Sequence, residues 1–443
     1  MFDVDIDFGI NIVEIITKGL YTNSLDALRE YIQNSCDAID DAIKAGILAQ
    51  GDGTVTIDLD KDKRKITIED NGMGLSTRYF ERTMSSIGNS DKSLKTDRGF
   101  RGIGRLGGLA YCDVLIFSSK VAGEKKVSTL TFTAKRLREE FWHERKRSAE
   151  SVLRDNMRFD IFDAADDALE HFFRVEIIDI VNSNKDLLDV AKVREYLSFV
   201  APVTYSPNFY YQELIYKHAA ELNFKITEYR IEVNGEPVVK NYKVDTNTRQ
   251  KGRDEIFGVE FRDLRDDDGN LIAWLWFGLS TFKGVLSEKL SEDSNKMRGL
   301  RLRLGNIQIG GWNTLGDLFS EDRGTKYFIG EVHAVDKNLR PNSKRDDLEE
   351  DEAYNTLKAA LGKCFDELTD VYRAASIVRN AKDDIDNPSD KKLAKILQEA
   401  ETVPDSAQSK VVRRILENQP TVQAIEPTPT DTGDNSITPP PQK

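Results

Sequence analysis

Residues 29–42 read REYIQNSCDAIDDA, and the reading of this stretch decides the rest. Leu28, Ile32, Ile39 and Ile43 recur at helical spacing and give a buried face to a helix expected over Leu25–Ala45. Glu30, Asn34 and Asp37 fall four and three residues apart, so they stack in one stripe on another side. A merely solvated stripe is more usually filled with Lys, Glu, Gln or Arg, and Asn is a mediocre helix former. Two readings stand: a polar face that tolerates one Asn, or a face turned toward a ligand.

Downstream, TVTIDL (54–59) and KITIE (65–69) read as strands joined across DKDKR in a hairpin. EDNGMGLS (69–76) follows. Asn71–Gly72 is a hairpin-turn signal, yet the next residues do not alternate like a returning strand, and a helix is expected over Thr77–Ile87. Gly72 and Gly74 then mark places where backbone approaches something closely. Asp70, at a strand end, suits an amine donor such as the exocyclic amine of adenine. A glycine-dense segment runs from Gly88 to Gly108, with Gly99, Gly102, Gly104, Gly107 and Gly108 clustered before a short helix. It is not a P-loop, because no G-x-x-x-x-G-K-[ST] occurs. Such a cluster can cradle phosphate with backbone N–H groups, or hinge a lid flanked by Ser90, Lys92 and Ser93. DVLIFSSK (113–120), VSTLTFTA (127–134) and Phe172–Ile180 read as strands, and the charged stretch 136–170 as a helical insertion. The fold class expected is α+β, a two-layer sandwich of sheet and helices.

The chain has 443 residues, which sets a prior of two or three domains. A second α/β block over about 187–350 carries YRIEVNGEPV, a hairpin turning at Asn234–Gly235, and the strands LIAWLWFGLS, LRLRLGNIQIG and KYFIGEVHAV. Val190–Val203 and Leu357–Ala374 are helical in pattern, 382–418 suggests one or two short helices, and the Pro/Thr/Asp-rich 419–443 is expected to be disordered. The net charge of −13 argues against duplex DNA over most of the surface. Cys36, Cys112 and Cys364 form no CxxC pair, and the four histidines are scattered, so neither a zinc site nor triad chemistry is expected. No run of about 18 apolar residues occurs, no membrane association is expected, and the expected compartment is the cytoplasm.

Order and spacing join these signals: Glu30…Asn34…Asp37-Ala38, then Asp70…Gly72…Gly74, then Gly99-Phe100-Arg101-Gly102. As a set they resemble the GHKL ATPase superfamily of gyrase B subunits, MutL, histidine kinases and the ninety-kilodalton heat-shock chaperones. Gly99-Phe100-Arg101-Gly102 is similar to the MutL lid, and the first forty residues, with Tyr21-Thr22-Asn23 and Leu28-Arg29-Glu30, to the chaperone N-terminus. More weakly, NLRPNSKRDDL (338–348) resembles the chaperone middle-domain loop whose Arg reaches the γ-phosphate. The late motif departs, for the place of the family's Gly-Thr is held here by Phe172-Phe173-Arg174.

The resemblance implies a Bergerat ATP-binding fold over 1–185, a transducer-type α/β domain over 186–350, a helical region over 351–418 and a tail over 419–443. It implies ATP and Mg²⁺ as ligands. Asn34 would ligate the metal and Glu30 would orient or deprotonate the attacking water, while Asp37 faces bound water or Arg groups. Asp70 would accept from the adenine amine, with Gly72 and Gly74 lying against base and ribose. Lys92, Gly99, Arg101, Gly102 and Gly104 would belong to the lid over the phosphates. Arg345, with Lys344 and Arg340 as competitors, would reach the γ-phosphate. The activity implied is slow ATP hydrolysis in a chaperone-like clamp, a nucleotide-dependent homodimer acting on an unidentified client. Related bacterial proteins accompany DNA-repair or phage-defence systems. A MutL- or MORC-like DNA clamp and a nucleotide-binding scaffold with little hydrolysis are the alternatives.

Overall fold

The computed structural model describes residues 23–87, 104–143, 147–165, 169–246, 254–283, 296–321, 323–381 and 383–417, without the side chains of 141–143. The first elements are α1 (Asp26–Lys44), β1 (Thr54–Asp60), β2 (Lys65–Asp70), α2 (Thr77–Ser85), β3 (Val114–Lys120), β4 (Lys126–Phe132), α3 (Ala134–His143), α4 (Ala149–Asp155), β5 (Met157–Asp163) and β6 (Phe172–Ile178). After them come α5 (Val190–Val200), α6 (Gln212–Glu221), β7 (Arg230–Val233) and β8 (Glu236–Pro237). The eight strands form one sheet in the order β5-β4-β3-β6-β2-β1-β7-β8. All neighbours are antiparallel except β1 and β7. Helix α1 packs on this sheet through Leu28, Ile32, Cys36 and Ile39, which meet Val55, Ile57, Ile66, Ile68, Leu115 and Phe117 in one core. The expected two-layer α+β architecture is present.

Two regions differ from expectation. The charged stretch 136–170 holds two helices but also β5, which pairs with β4 along seven residues at the sheet edge. Its alternation in MRFDIFD is the strand signal, obscured by the charges around it, and Ile161 and Phe162 stay exposed there. The sheet also runs past residue 185. Leu187, Leu188, Val193, Leu197, Ala201 and Val203 pack into the first core, as do Ile231 and Val233 of β7. The hairpin turn at Asn234–Gly235 is as expected, with both residues at positive φ (50° and 77°).

The second layer comprises β9 (Gly258–Arg265), β10 (Leu271–Leu279), β11 (Gly299–Leu304), β12 (Ile307–Gln308) and β13 (Ile329–Ala334), in the order β12-β11-β13-β10-β9. Helices α7 (Glu352–Asn380), α8 (Lys391–Thr402) and α9 (Ala407–Glu417) cover it. Leu357, Leu361, Phe365, Leu368 and Val411 share its core, so the C-terminal helices are the second layer's own cover. The tail 419–443 lies outside the described residues. No helix among the described residues is long and apolar enough to cross a membrane.

A buried polar network joins the two layers. Glu331 on β13 accepts from Lys240 Nζ at 3.0 Å, Tyr205 Oη at 2.6 Å and Tyr242 Oη at 3.1 Å, and pairs with Arg303 at 2.6 Å. Lys240, Arg303 and Glu331 are fully buried. Arg303 also donates to the Phe199 carbonyl at the end of α5. Burial pulls Lys240 down to about 8, whereas Arg303 and Lys240 hold Glu331 well below the usual carboxylate range against its own desolvation. Replacing one partner strands the others in a low-dielectric interior. Glu331→Gln is expected to cost about 3–5 kcal/mol in urea unfolding. His333, stacked on Trp274 at 4.3 Å and 3.2 Å from Glu331, is pushed down to about 4 by burial. Between that value and 6.5 the unfolded chain binds the extra proton, so stability is complete above 6.5 and falls as pH drops toward 4. His333→Phe is expected to flatten this part of the stability–pH curve measured by urea titration.

Candidate functional site

Helix α1 is buried on two sides. Its apolar face meets the sheet, and its polar face is covered as well: Arg29, Glu30 and Asp37 are 4% exposed and Gln33 is 3%. A solvated face would not look like this. Asn34 is half-buried, and among the described residues its amide makes no hydrogen bond. Gln33 Oε1 is a buried acceptor that takes no hydrogen bond from the described residues. An orphaned buried acceptor carries a desolvation cost that a water or ligand donor would relieve.

Three neighbours enclose Glu30. Arg345, from the loop before α7, pairs its guanidinium with the Glu30 carboxylate, and both side chains are at least nine-tenths buried. Gly104, the first described residue of the glycine-dense segment, lies so close that a Cβ there would stand 2.4 Å from Glu30 Oε2. Tyr31, one residue on, accepts the Gly108 N–H at 2.9 Å and donates to the Arg105 carbonyl at 2.9 Å, which ties the root of that segment to α1. Lys92, Gly99, Arg101 and Gly102 lie outside the described residues.

Arg345 is held in an unusual backbone conformation, with φ +56°. A long side chain in the left-handed region costs free energy and persists only where surroundings impose it. Here the Arg345 N–H donates to Asn342, its carbonyl accepts from Gly310, and Pro341 bridges Leu348. Among the three basic candidates the structure brings Arg345 to Glu30. Lys344 has an exposed side chain, and its carbonyl accepts from Arg29 Nη2 at 3.3 Å. The Arg340 carbonyl is taken by Glu349 N–H at 2.8 Å.

The glycines of the second motif sit at close approaches. Gly72 packs on α1, where a Cβ would stand 2.7 Å from Ala38, and the Met73 N–H donates to the Ala38 carbonyl. Gly74, at φ +68°, faces the Lys120 carbonyl, 2.2 Å from where a Cβ would be. The close approach at both positions is to protein, the Ala38 backbone and Cβ at Gly72 and the Lys120 carbonyl at Gly74. They lock the end of β2 between α1 and β3. Asp70 is 2% exposed and accepts the Gly72 N–H at 2.9 Å. Ser119 accepts the Leu75 N–H, and His171 holds the Gly72 carbonyl through Nδ1 at 2.9 Å. Arg29, Tyr31, Gln33 and His171 were not singled out by the sequence. Gln33 carried a signal, since it lies three residues from Glu30 on the same helix face.

Residues 21–158 match the family model described as histidine kinase-, DNA gyrase B- and HSP90-like ATPase. These residues are a GHKL ATPase domain. A stretch of 132 residues is 31% identical to the chaperone protein HtpG of Escherichia coli strain K12, and equally to those of Escherichia coli O157:H7 and O1:K1. The match covers 26% of this chain and 21% of each relative, so the chain spans about a fifth of the relatives' length. The GHKL domain thus contains α1, the β2 end and the root of the glycine segment, while Arg345 comes from outside the matched residues. Gly74→Ala is expected to destabilise by about 2 kcal/mol or more, from the left-handed backbone and the carbonyl it meets, read as a lowered urea midpoint.

Proposed function

We propose that this chain is an ATP-hydrolysing conformational switch, a chaperone-like clamp in which the second layer senses the nucleotide held by the first. The observation that carries this reading is the buried Glu30–Arg345 pair, made across the layers and held by a strained loop. The guanidinium occupies the carboxylate that would otherwise meet water, so the pair describes a resting arrangement. Transfer of Arg345 from Glu30 to a substrate phosphate would free the carboxylate to orient or deprotonate water, and would put positive charge where the transition state needs it.

The remaining residues have roles that fit their surroundings. The half-buried amide of Asn34 suits a metal that keeps most of its waters and phosphates. Mg²⁺ held there would neutralise phosphate charge. Among the described residues no cluster of three His, Cys, Asp or Glu side chains offers a competing metal site. Asp70 accepts the amine of adenine, and Asp37 takes bound water on the α1 face. Lys92, Gly99, Arg101 and Gly102 are assigned to the phosphates, and Gly104, at the described end of their segment, bears on Glu30. The working form is a nucleotide-dependent homodimer in the cytoplasm with a protein client, within a bacterial repair or defence system.

Steady-state ATPase assays with Glu30→Ala, Asn34→Ala and Arg345→Ala test this. Glu30→Ala is expected to lower turnover by roughly 10²–10⁴-fold while ATP still binds. Asn34→Ala should raise the Mg²⁺ concentration needed for half-maximal rate, and Arg345→Ala should lower turnover more than ATP affinity. Unchanged turnover in Glu30→Ala would remove the role given to the carboxylate. ATP-dependent, salt-sensitive DNA retention would favour the DNA-clamp alternative instead.

A further inference from the structure

Strand register places four inner-face residues in a row across the first sheet: Ser119 on β3, Phe173 on β6, Asp70 on β2 and Val55 on β1. Ser119, Asp70 and Val55 are buried, at 1%, 2% and 0% exposure. Phe173 alone in the row keeps accessible surface, although Val175 and Ile177, the next inner-face residues of its strand, are buried. Its ring packs on Phe117 at a centroid distance of 6.2 Å and is partly exposed. The Ser119 hydroxyl is occupied, accepting from Leu75 N–H at 2.7 Å and donating to the Phe172 carbonyl at 3.0 Å. A carboxylate has about four acceptor sites, and in this row the Asp70 carboxylate, which takes the Gly72 N–H, stands beside an aromatic face.

We propose that Phe173 is the stacking wall of the base site, holding a flat heteroaromatic ring whose amine donates to Asp70. The proposal rests on the ATP-binding reading above and adds what holds the base. An aromatic face holds any ring through its π surface and reads no hydrogen bond, whereas a carboxylate accepts from an amine and repels a carbonyl oxygen. The site then discriminates at the edge facing Asp70 and tolerates substituents elsewhere on the ring.

The test is nucleotide binding by isothermal titration calorimetry on the full chain with Mg²⁺, which needs no turnover. The probes are ATP, inosine triphosphate and 2,6-diaminopurine riboside triphosphate. Wild type is expected to bind ATP and the diaminopurine nucleotide alike and inosine triphosphate at least roughly tenfold more weakly. Phe173→Thr should weaken ATP and the diaminopurine nucleotide equally, by roughly 5- to 100-fold, with Phe173→Leu between it and wild type. Phe173→Tyr, which keeps the ring face, should restore most of the affinity and guards against a misfolded Thr variant. Thr and Leu variants that bind ATP as tightly as wild type, or more tightly, would overturn the proposal, the latter by making the ring an obstruction. If wild type binds ATP and Asp70→Asn abolishes it while the Phe173 variants stay within about twofold, this inference fails and the ATP reading stands. If wild type binds none of the three nucleotides, both fall.

Discussion

The buried pair between Glu30 and Arg345 is the contact on which the arrangement of this molecule turns, because it can form only when two layers with separate cores are brought against one helix. Helix α1 supplies the carboxylate from a face that is polar yet enclosed, and the second layer supplies the cation from a loop whose backbone is strained to deliver it. Ion pairs so placed give little net stability, since desolvation offsets most of the attraction. In the function proposed, their value is conditional: a third charge entering the site would change which partner the arginine prefers.

The rest of the interface is tightly fastened. Residues 187–203 and 229–238 pack into the first core and lead directly to Lys240 and Tyr242, which are fastened to Glu331 of the second sheet. Charged groups in a dry interior tolerate few arrangements, so the joint between the layers holds one geometry. Around α1 the glycines do similar work. Gly72 and Gly74 bring β2 against Ala38 and Lys120, and Gly104 brings the root of the glycine segment against Glu30. Small residues here set the distances between packed elements.

Much of this was legible in the sequence. Alternation and turn chemistry located β1, β2, β3, β4, β6 and the hairpin at Asn234–Gly235, because those signals are local. The order of the Glu30, Asp70 and glycine motifs pointed to the ATPase domain, and the residue matched to the phosphate-reaching arginine is the one that meets Glu30. Strand β5 was hidden because its charges imitate a solvated helix, and its pairing with β4 is a long-range fact.

What the sequence by itself determined is the helix, its two faces and the residue types along them, since periodicity and side-chain chemistry are carried by neighbours in the chain. What only the tertiary structure decided is that the polar face is buried, that Arg345 and not Lys344 or Arg340 closes on it, that glycine is needed at 72 and 74 for backbone contact, and that Phe173 stands beside Asp70. The physical reason is the same in each case. These are distances between segments tens to hundreds of residues apart, set by sheet register and by the packing of two cores, and no local pattern encodes them.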